Sequence, residues 1–249
     1  MTRDRAASAT GPPPAPAPLT AFSRPRPGEQ PPYLYEPYAS TIKRAPRRPP
    51  LPLPHTVSET TGPTFARGWA GAPLTDLTRP GTGEALGQRI IIAGRLLDEN
   101  GRPIPRSLVE IWQCNAAGRY LHDGDLHDAP IDPNFVGFGR MLTNDAGEYR
   151  FLTVKPGAYP WRNTHNAWRP AHIHFSLFGN AIATRLITQM YFPEDPLLAT
   201  DPIFQSVSDE SARNRMICDY EATLSQAEYA LGYRFDIVLR GRTSTPMGK

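Results

Sequence analysis

Cysteine is almost missing from this chain of 249 residues, and the two present, Cys114 and Cys218, lie far apart and outside any CxxC spacing. Neither a disulfide framework nor a thiolate zinc site is indicated, and a reducing compartment is the natural expectation. Long apolar runs are lacking as well. The N-terminus begins MTRDRAASATGPPPAPAP, with prolines and small residues where a secretory signal needs an apolar stretch, and nothing later approaches the length of a membrane span. The expected protein is cytoplasmic, with no membrane partner. An excess of one charge is also missing: 27 Lys and Arg stand against 24 Asp and Glu, a net +3 spread evenly along the sequence. That is too mild for a nucleic-acid footprint and compatible with a small anionic substrate.

What the chain has in abundance is proline, and fifteen of its 29 prolines fall in the first 54 residues. Proline fixes φ and removes a backbone donor, so this part is expected to form neither an ordinary helix nor a central strand. Residues 1–32 read as a disordered Pro/Ala-rich extension. From Tyr33 onward tyrosines and aliphatics interleave with the prolines, which predicts an extended arm over 33–87 that lies on a folded surface or a partner. The body is then 88–249, long enough for one sizeable core.

In that body QRIIIAGRLLD is a β-branched run that halts at the turn signal DENGRPIP, after which SLVEIWQ resumes as a strand. The pair reads as a hairpin or a short-loop strand pair. Further strands are expected in GEYRFLTV (147–154), AHIHFSLF (171–178), ATRLITQMYF (183–192) and YRFDIVLRG (233–241). One helical segment is expected within 208–230, although its apolar spacing is irregular. Many short strands without alternating helices predict an all-β fold, an antiparallel β-sandwich with long loops.

The sharpest chemical feature is RPAHIHF. On a strand, alternation places His172 and His174 on one face, about 7 Å apart at Cα, and Ala171, Ile173 and Phe175 on the other. Alone, HxH spacing fits a polar strand face as well as a metal pair. The usual companions of divalent metals are absent: there is no HExxH and no convincing cysteine partner. Asp123, Asp125 and Asp128, in a loop with His122 and His127, could complete a two-histidine, one-carboxylate Fe(II) site, or be solvated turn. Tyrosines meanwhile stand in unusual places, Tyr120 ending IWQCNAAGRY and Tyr159 between prolines in KPGAYPWRN. A phenol with its pKa near 10 is a poor ligand for soft or divalent ions. A hard Fe(III) could hold two phenolates at neutral pH, with two imidazoles completing the set.

Together LVEIWQCNAAGRY, PIDPNFVGFGR, KPGAYPWRN, WRPAHIHF, ITQMYF and YRFDIVLRG, with SETTGP (58–63), resemble the intradiol ring-cleavage dioxygenases, and among them the β-type chains that act on protocatechuate. The likeness runs from about Tyr38 to Arg242. The family pattern of Tyr, a second Tyr 39 residues later and HxH beginning 13 residues after that is met by Tyr120, Tyr159, His172 and His174. The resemblance implies a β-sandwich and one non-haem Fe(III) per chain on those residues. It implies cleavage of protocatechuate by O2 to 3-carboxy-cis,cis-muconate in aromatic catabolism, by the β-ketoadipate pathway, with Tyr159 leaving the metal when the catechol binds and Tyr120 staying. It further implies Arg169 and Gln189 as catalytic residues, Tyr38, Trp112 and Ile203 as substrate-binding residues, and a homologous α subunit as partner. Trp161, Arg162, His165 and Trp168 form an aromatic and basic cluster near the ligand loop that could orient ligands or serve as scaffold.

Two rivals stand beside this reading. A catechol or hydroxyquinol enzyme working as a homodimer would carry a helical N-terminal domain, which the proline-rich segment cannot make. A non-catalytic β-sandwich module would share the fold but be expected to lose a ligand.

Overall fold

The structure is a computed structural model that describes residues 25–51, 56, 71–79, 81–163, 168–179 and 185–248. His165 and the SETTGP motif lie outside the described residues. Among the described residues eleven strands can be named: β1 Arg89–Leu97, β2 Leu108–Trp112, β3 Phe138–Leu142, β4 Glu148–Val154, β5 Tyr159–Pro160, β6 Trp168–Arg169, β7 His172–Leu177, β8 Leu186–Tyr191, β9 Asp219–Tyr220, β10 Leu231–Arg234 and β11 Ile237–Val238. They form a five-stranded sheet around β1, a four-stranded sheet in the order β3-β2-β7-β8, and the small pair β5-β6.

Alternation explains how the two large sheets meet. In β1, Ile90, Ile92 and Leu96 point inward, and so do Ile173, Phe175 and Leu177 of β7 with Met190 of β8, all in one buried cluster. Phe175 bridges the layers, with its ring 6.1 Å from Phe151 and 5.4 Å from Phe235. The strands expected within 147–154, 171–178 and 183–192 are met by β4, β7 and β8, where the β-branched and aromatic content lies, whereas the one expected over 233–241 is divided between β10 and β11.

The expected hairpin between β1 and β2 does not form. The turn itself is built, with Asp98 Oδ1 accepting from Asn100 N and Arg102 N at 2.8 and 2.9 Å. Yet β1 pairs with β4, β10 and β11, whereas β2 pairs with β3 and β7. Pro103 and Pro105 supply no ladder donor, and Arg106, at φ 53°, turns the chain into the opposite sheet. Nor is the pairing wholly antiparallel, because β10 and β11 run parallel to β1. The chain crosses from β10 to β11 against Gly94, where any Cβ would sit 1.9 Å from the Phe235 carbonyl oxygen.

Among the described residues the α-helices are short: α1 Ala39–Arg44, α2 Pro202–Gln205 and α3 Glu210–Asn214. The helix expected over 208–230 shrinks to α3, capped by Asp209. Its continuation is drawn away because Tyr191 N donates to Met216 O and Cys218 N to Tyr191 O, binding the chain to the end of β8. The arm contains α1 rather than being extended throughout. Residues 25–32, expected to belong to the disordered extension, are docked: Gly28 O accepts from Asp209 N, Glu29 is buried, and Gln30 Oε1 accepts from Met247 N. Among the described residues no helix is long and apolar enough to cross a membrane.

Candidate active site

The outward face of the four-stranded sheet is not left to water. Register places Trp112 beside His174, His174 beside Gln189, and His172 beside Tyr191, so that five polar or aromatic side chains share one surface. A second apolar cluster of Tyr191, Phe204, Val207, Ala212 and Met216 covers part of it. Arg169, His172, Gln189 and Tyr191 are consequently each no more than 2% exposed.

The tyrosines arrive from loops. Asn115 Oδ1 accepts from Ala117 N and Arg119 N, both at 2.9 Å, and folds the chain back at Gly118. There φ is +79°, and a Cβ would lie 2.2 Å from Ala158 O, so only glycine lets the Tyr120 loop lie against the Tyr159 loop. Asp125 then fixes the end of this turn by accepting from Tyr120 N at 2.7 Å and from His127 N at 2.8 Å. That gives the acidic loop a purpose that its sequence did not reveal. Tyr159 lies on β5 directly across from Arg169 on β6.

These supports bring the rings together. Tyr120 and Tyr159 lie 5.4 Å apart between ring centroids, Tyr159 and His172 5.4 Å, and His172 and His174 4.8 Å. Trp112 stacks flat on His174, at 4.7 Å and 2°. His172 Nδ1 is 2.7 Å from Pro170 O. A carbonyl can only accept, so Nδ1 carries the proton and Nε2 presents a lone pair. Burial, and then the Arg169 charge, hold both imidazoles neutral, with His174 lowered to about 3 and His172 also well below its ordinary value. Burial and the neighbouring Tyr159 phenol push Tyr120 well above the usual tyrosine range. Burial also raises Tyr159, against the pull of Arg169.

Arg169 anchors the group. Its Nε and Nη2 donate to Asp201 Oδ2 at 3.0 and 2.8 Å, and Nη2 also reaches Gln189 Oε1 at 2.7 Å and Tyr191 Oη at 3.1 Å. On the other side Nη1 lies 3.0 Å from His172 Nε2 and 3.5 Å from Tyr159 Oη. Burial works against the cation, but Tyr191, Asp201 and Tyr159 outweigh it and hold the guanidinium above its ordinary value. Leaving either member of so buried a pair alone would cost about 3–5 kcal/mol.

A cleft of about 630 Å³ opens over this cluster, lined by Trp112, Tyr120, Tyr159, Trp161, Arg162 and the 122–128 loop. Its size is ordinary for a small-molecule site. Two of the expected substrate contacts stand apart from it. Tyr38 is buried at the start of α1 and packs 5.0 Å from Trp161, while Ile203 is buried in α2; neither lines the cleft. Trp168 is largely exposed and stands edge-on to His127 at 6.1 Å. Asp201 and Tyr191 escaped the sequence reading altogether. An Asp-Pro pair fits a helix start, as α2 shows, but nothing local tells of the arginine beneath it.

The donor set suits a hard metal ion. Among the described residues no Asp, Glu or Cys joins the two histidines in a group of three able to share an ion, which removes the carboxylate alternative there. Tyr120 Oη is buried with no partner at good hydrogen-bond geometry, its polar neighbour being the Tyr159 phenol. A buried phenol oxygen without a well-placed partner is costly, and a trivalent cation would both satisfy it and offset the burial that now keeps it protonated.

Comparison with known proteins identifies the family. A family profile described as Dioxygenase matches residues 60–241. A second, described as the N terminal of the protocatechuate 3,4-dioxygenase beta subunit, matches 22–56, so the likeness begins well before Tyr38. The chain is 54% identical over 219 residues to the protocatechuate 3,4-dioxygenase beta chain of Burkholderia cepacia, covering 87% of this chain and 93% of that one. It is 33% identical over 205 residues to the corresponding alpha chain of Pseudomonas putida, covering 78% and 95%. Among solved structures, 3-chlorocatechol 1,2-dioxygenase from Rhodococcus opacus 1CP matches with a TM-score of 0.50 and 22% identity, over 72% of this chain and 70% of that one; that likeness concerns the fold alone. By the length and closeness of these matches, the chain belongs to the intradiol ring-cleaving dioxygenases, in the group of protocatechuate 3,4-dioxygenase beta chains.

Proposed function

We propose that this chain is the metal-bearing subunit of an enzyme that opens protocatechuate between its two hydroxyl-bearing carbons, inserting both atoms of O2 to give 3-carboxy-cis,cis-muconate. Tyr120, Tyr159, His172 and His174 would hold a single ferric ion. The observation that carries this reading is the convergence of two phenols and two neutral imidazoles beneath one cleft, with a buried arginine between them. The ion would supply a Lewis-acid centre that favours loss of the protons from the two ring hydroxyls of the substrate, and the deprotonated ring is the electron-rich form that O2 attacks.

The chain's own residues do the rest. Arg169 stays cationic at any working pH, so it offers a fixed positive charge to the negative charge that builds on the ring and its oxygens. Gln189 and Tyr191 hold that guanidinium from one side. Tyr159, in reach of Arg169 Nη1, has a cation ready to stabilise its phenolate whenever its oxygen is displaced. Trp112 fixes the plane of His174, and Trp161 forms part of the wall against which a flat substrate would stack. A homologous alpha-type chain would complete the assembly, in keeping with the relatives that occur as beta and alpha chains. The route is aromatic breakdown in the cytoplasm.

An aerobic visible spectrum of the iron-loaded protein, co-expressed with such an alpha-type chain, tests this directly. A broad visible band that shifts on adding protocatechuate and bleaches as O2 is consumed is the expected result. A colourless protein with tightly bound iron would remove the tyrosines from the ligand set, and faster turnover of catechol than of protocatechuate would reverse the substrate assignment.

A further inference from the structure

We infer that Asp201 is a positioning residue for the reaction: its carboxylate grips the far edge of the Arg169 guanidinium and so turns the Nη1 edge toward Tyr159 and His172. This rests on the ferric intradiol reading above. Asp201 is fully buried, and all of its acceptor capacity is in use. Oδ2 takes Arg169 Nε and Nη2, at 3.0 and 2.8 Å, while Oδ1 takes Ile203 N and Phe204 N, at 2.7 and 3.1 Å.

A guanidinium has five donors in a rigid plane. Fixing Nε and Nη2 on one carboxylate oxygen leaves a single orientation of the plane, because rotation about the Nε bond would carry Nη2 away from Asp201, Gln189 and Tyr191 together. Nη1 is then the edge presented to the phenol of Tyr159 and the lone pair of His172. Gln189 and Tyr191 could not do this alone. Both are neutral, both meet only Nη2, and Tyr191 Oη itself leans on Gln189 Oε1 at 2.9 Å. The other oxygen of Asp201 ties the same anchor to the start of α2, the turn that carries Ile203. The arginine and the helix behind the site are thus fixed to one carboxylate, which keeps a charge-stabilising group from drifting when negative charge appears beside it.

Two variants separate the anchor from the cap. Asp201→Ser keeps an oxygen able to cap α2 but cannot reach Arg169, and Asp201→Asn keeps the volume while losing the charge. In each, kcat for protocatechuate is expected to fall about 10- to 100-fold, with KM, iron content and the resting visible band close to those of the parent. A second readout needs no metal. In the nitrogen-15 spectrum of the metal-free protein, one arginine Nε–H should be strongly protected from exchange. It should vanish in Arg169→Lys and lose its protection in both Asp201 variants. Normal kcat in either Asp201 variant, or protection that persists in them, would overturn the inference. So would variants that cannot be folded at all, since Asp201 would then be structural. If the parent itself binds no coloured iron, the functional reading fails instead, while the exchange measurement still decides whether Asp201 holds the arginine.

Discussion

The outward faces of the two sheets arise from the same alternation of side chains, but only one of them is roofed over. On the five-stranded sheet Ala93, Arg95, Arg150 and Arg234 line an open cleft of about 710 Å³. There Arg95 pairs with Asp236 at 3.2 Å with half of its side chain in water, and Arg234 meets Glu221 at 3.5 Å. On the four-stranded sheet the cleft is smaller, yet Arg169 meets Asp201 at 2.8 Å with both side chains buried. Water screens the first set of charges and leaves them worth little. In the second set burial shifts the histidines and tyrosines first, and the charges then act on their neighbours at low dielectric, holding the arginine charged against its burial. The larger opening is therefore not the chemical one: what marks the site is the roof made by α2, α3 and the β5-β6 pair.

The strongest way to break this contrast is to remove an imidazole. His172→Ala or His174→Ala should empty the site, with iron near zero by metal analysis and no measurable ring cleavage, because on the proposed reading each would remove one of four protein ligands. Next in size is the inner face of the same strand. Phe175→Ala should cost about 3–5 kcal/mol in denaturant unfolding, since its ring fills the space between the sheets.

Arg169→Ser leaves Asp201 buried without its partner and should cost stability on a similar scale, about 3–5 kcal/mol; its distinguishing sign is that the resting colour persists while kcat falls by about 10², the order expected for losing one electrostatic stabiliser. An arginine on the other sheet gives the counterpart. Arg95→Ala should alter stability by no more than about 0.5 kcal/mol and leave kcat unchanged, its ion pair being exposed. A large catalytic effect there would mean that the open face is not merely solvated. The smallest expected signal is none at all. Cys114 and Cys218, both buried and with thiols pushed up to about 12 by that burial, should resist alkylation at pH 8 until the protein unfolds.

Much of this was legible in one dimension. Most of the longer strands, though not β3, the two faces of HIHF and the need of a hard metal for a phenol donor follow from residue type and a period of two, and these hold wherever the strand is placed. The bringing together of Tyr120 with Tyr159, and of both with the histidines, was legible only through the resemblance, since no local pattern says which loop folds onto which strand. The helix expected over 208–230 failed for a related reason. Its residues 216–218 find backbone partners on β8, and those long-range hydrogen bonds outweigh a weak local preference.

The sequence by itself therefore determined an all-β chain with a two-faced histidine strand, tyrosines able to serve a hard cation, and a proline-rich start. Only the tertiary structure decided that β1 and β2 belong to opposite sheets, that Asp125 holds Tyr120, that Tyr38 lies behind Trp161, and that Asp201 lies against Arg169. Periodicity is carried by neighbours in the chain, whereas burial and the electrostatics it amplifies depend on which distant segments cover a face.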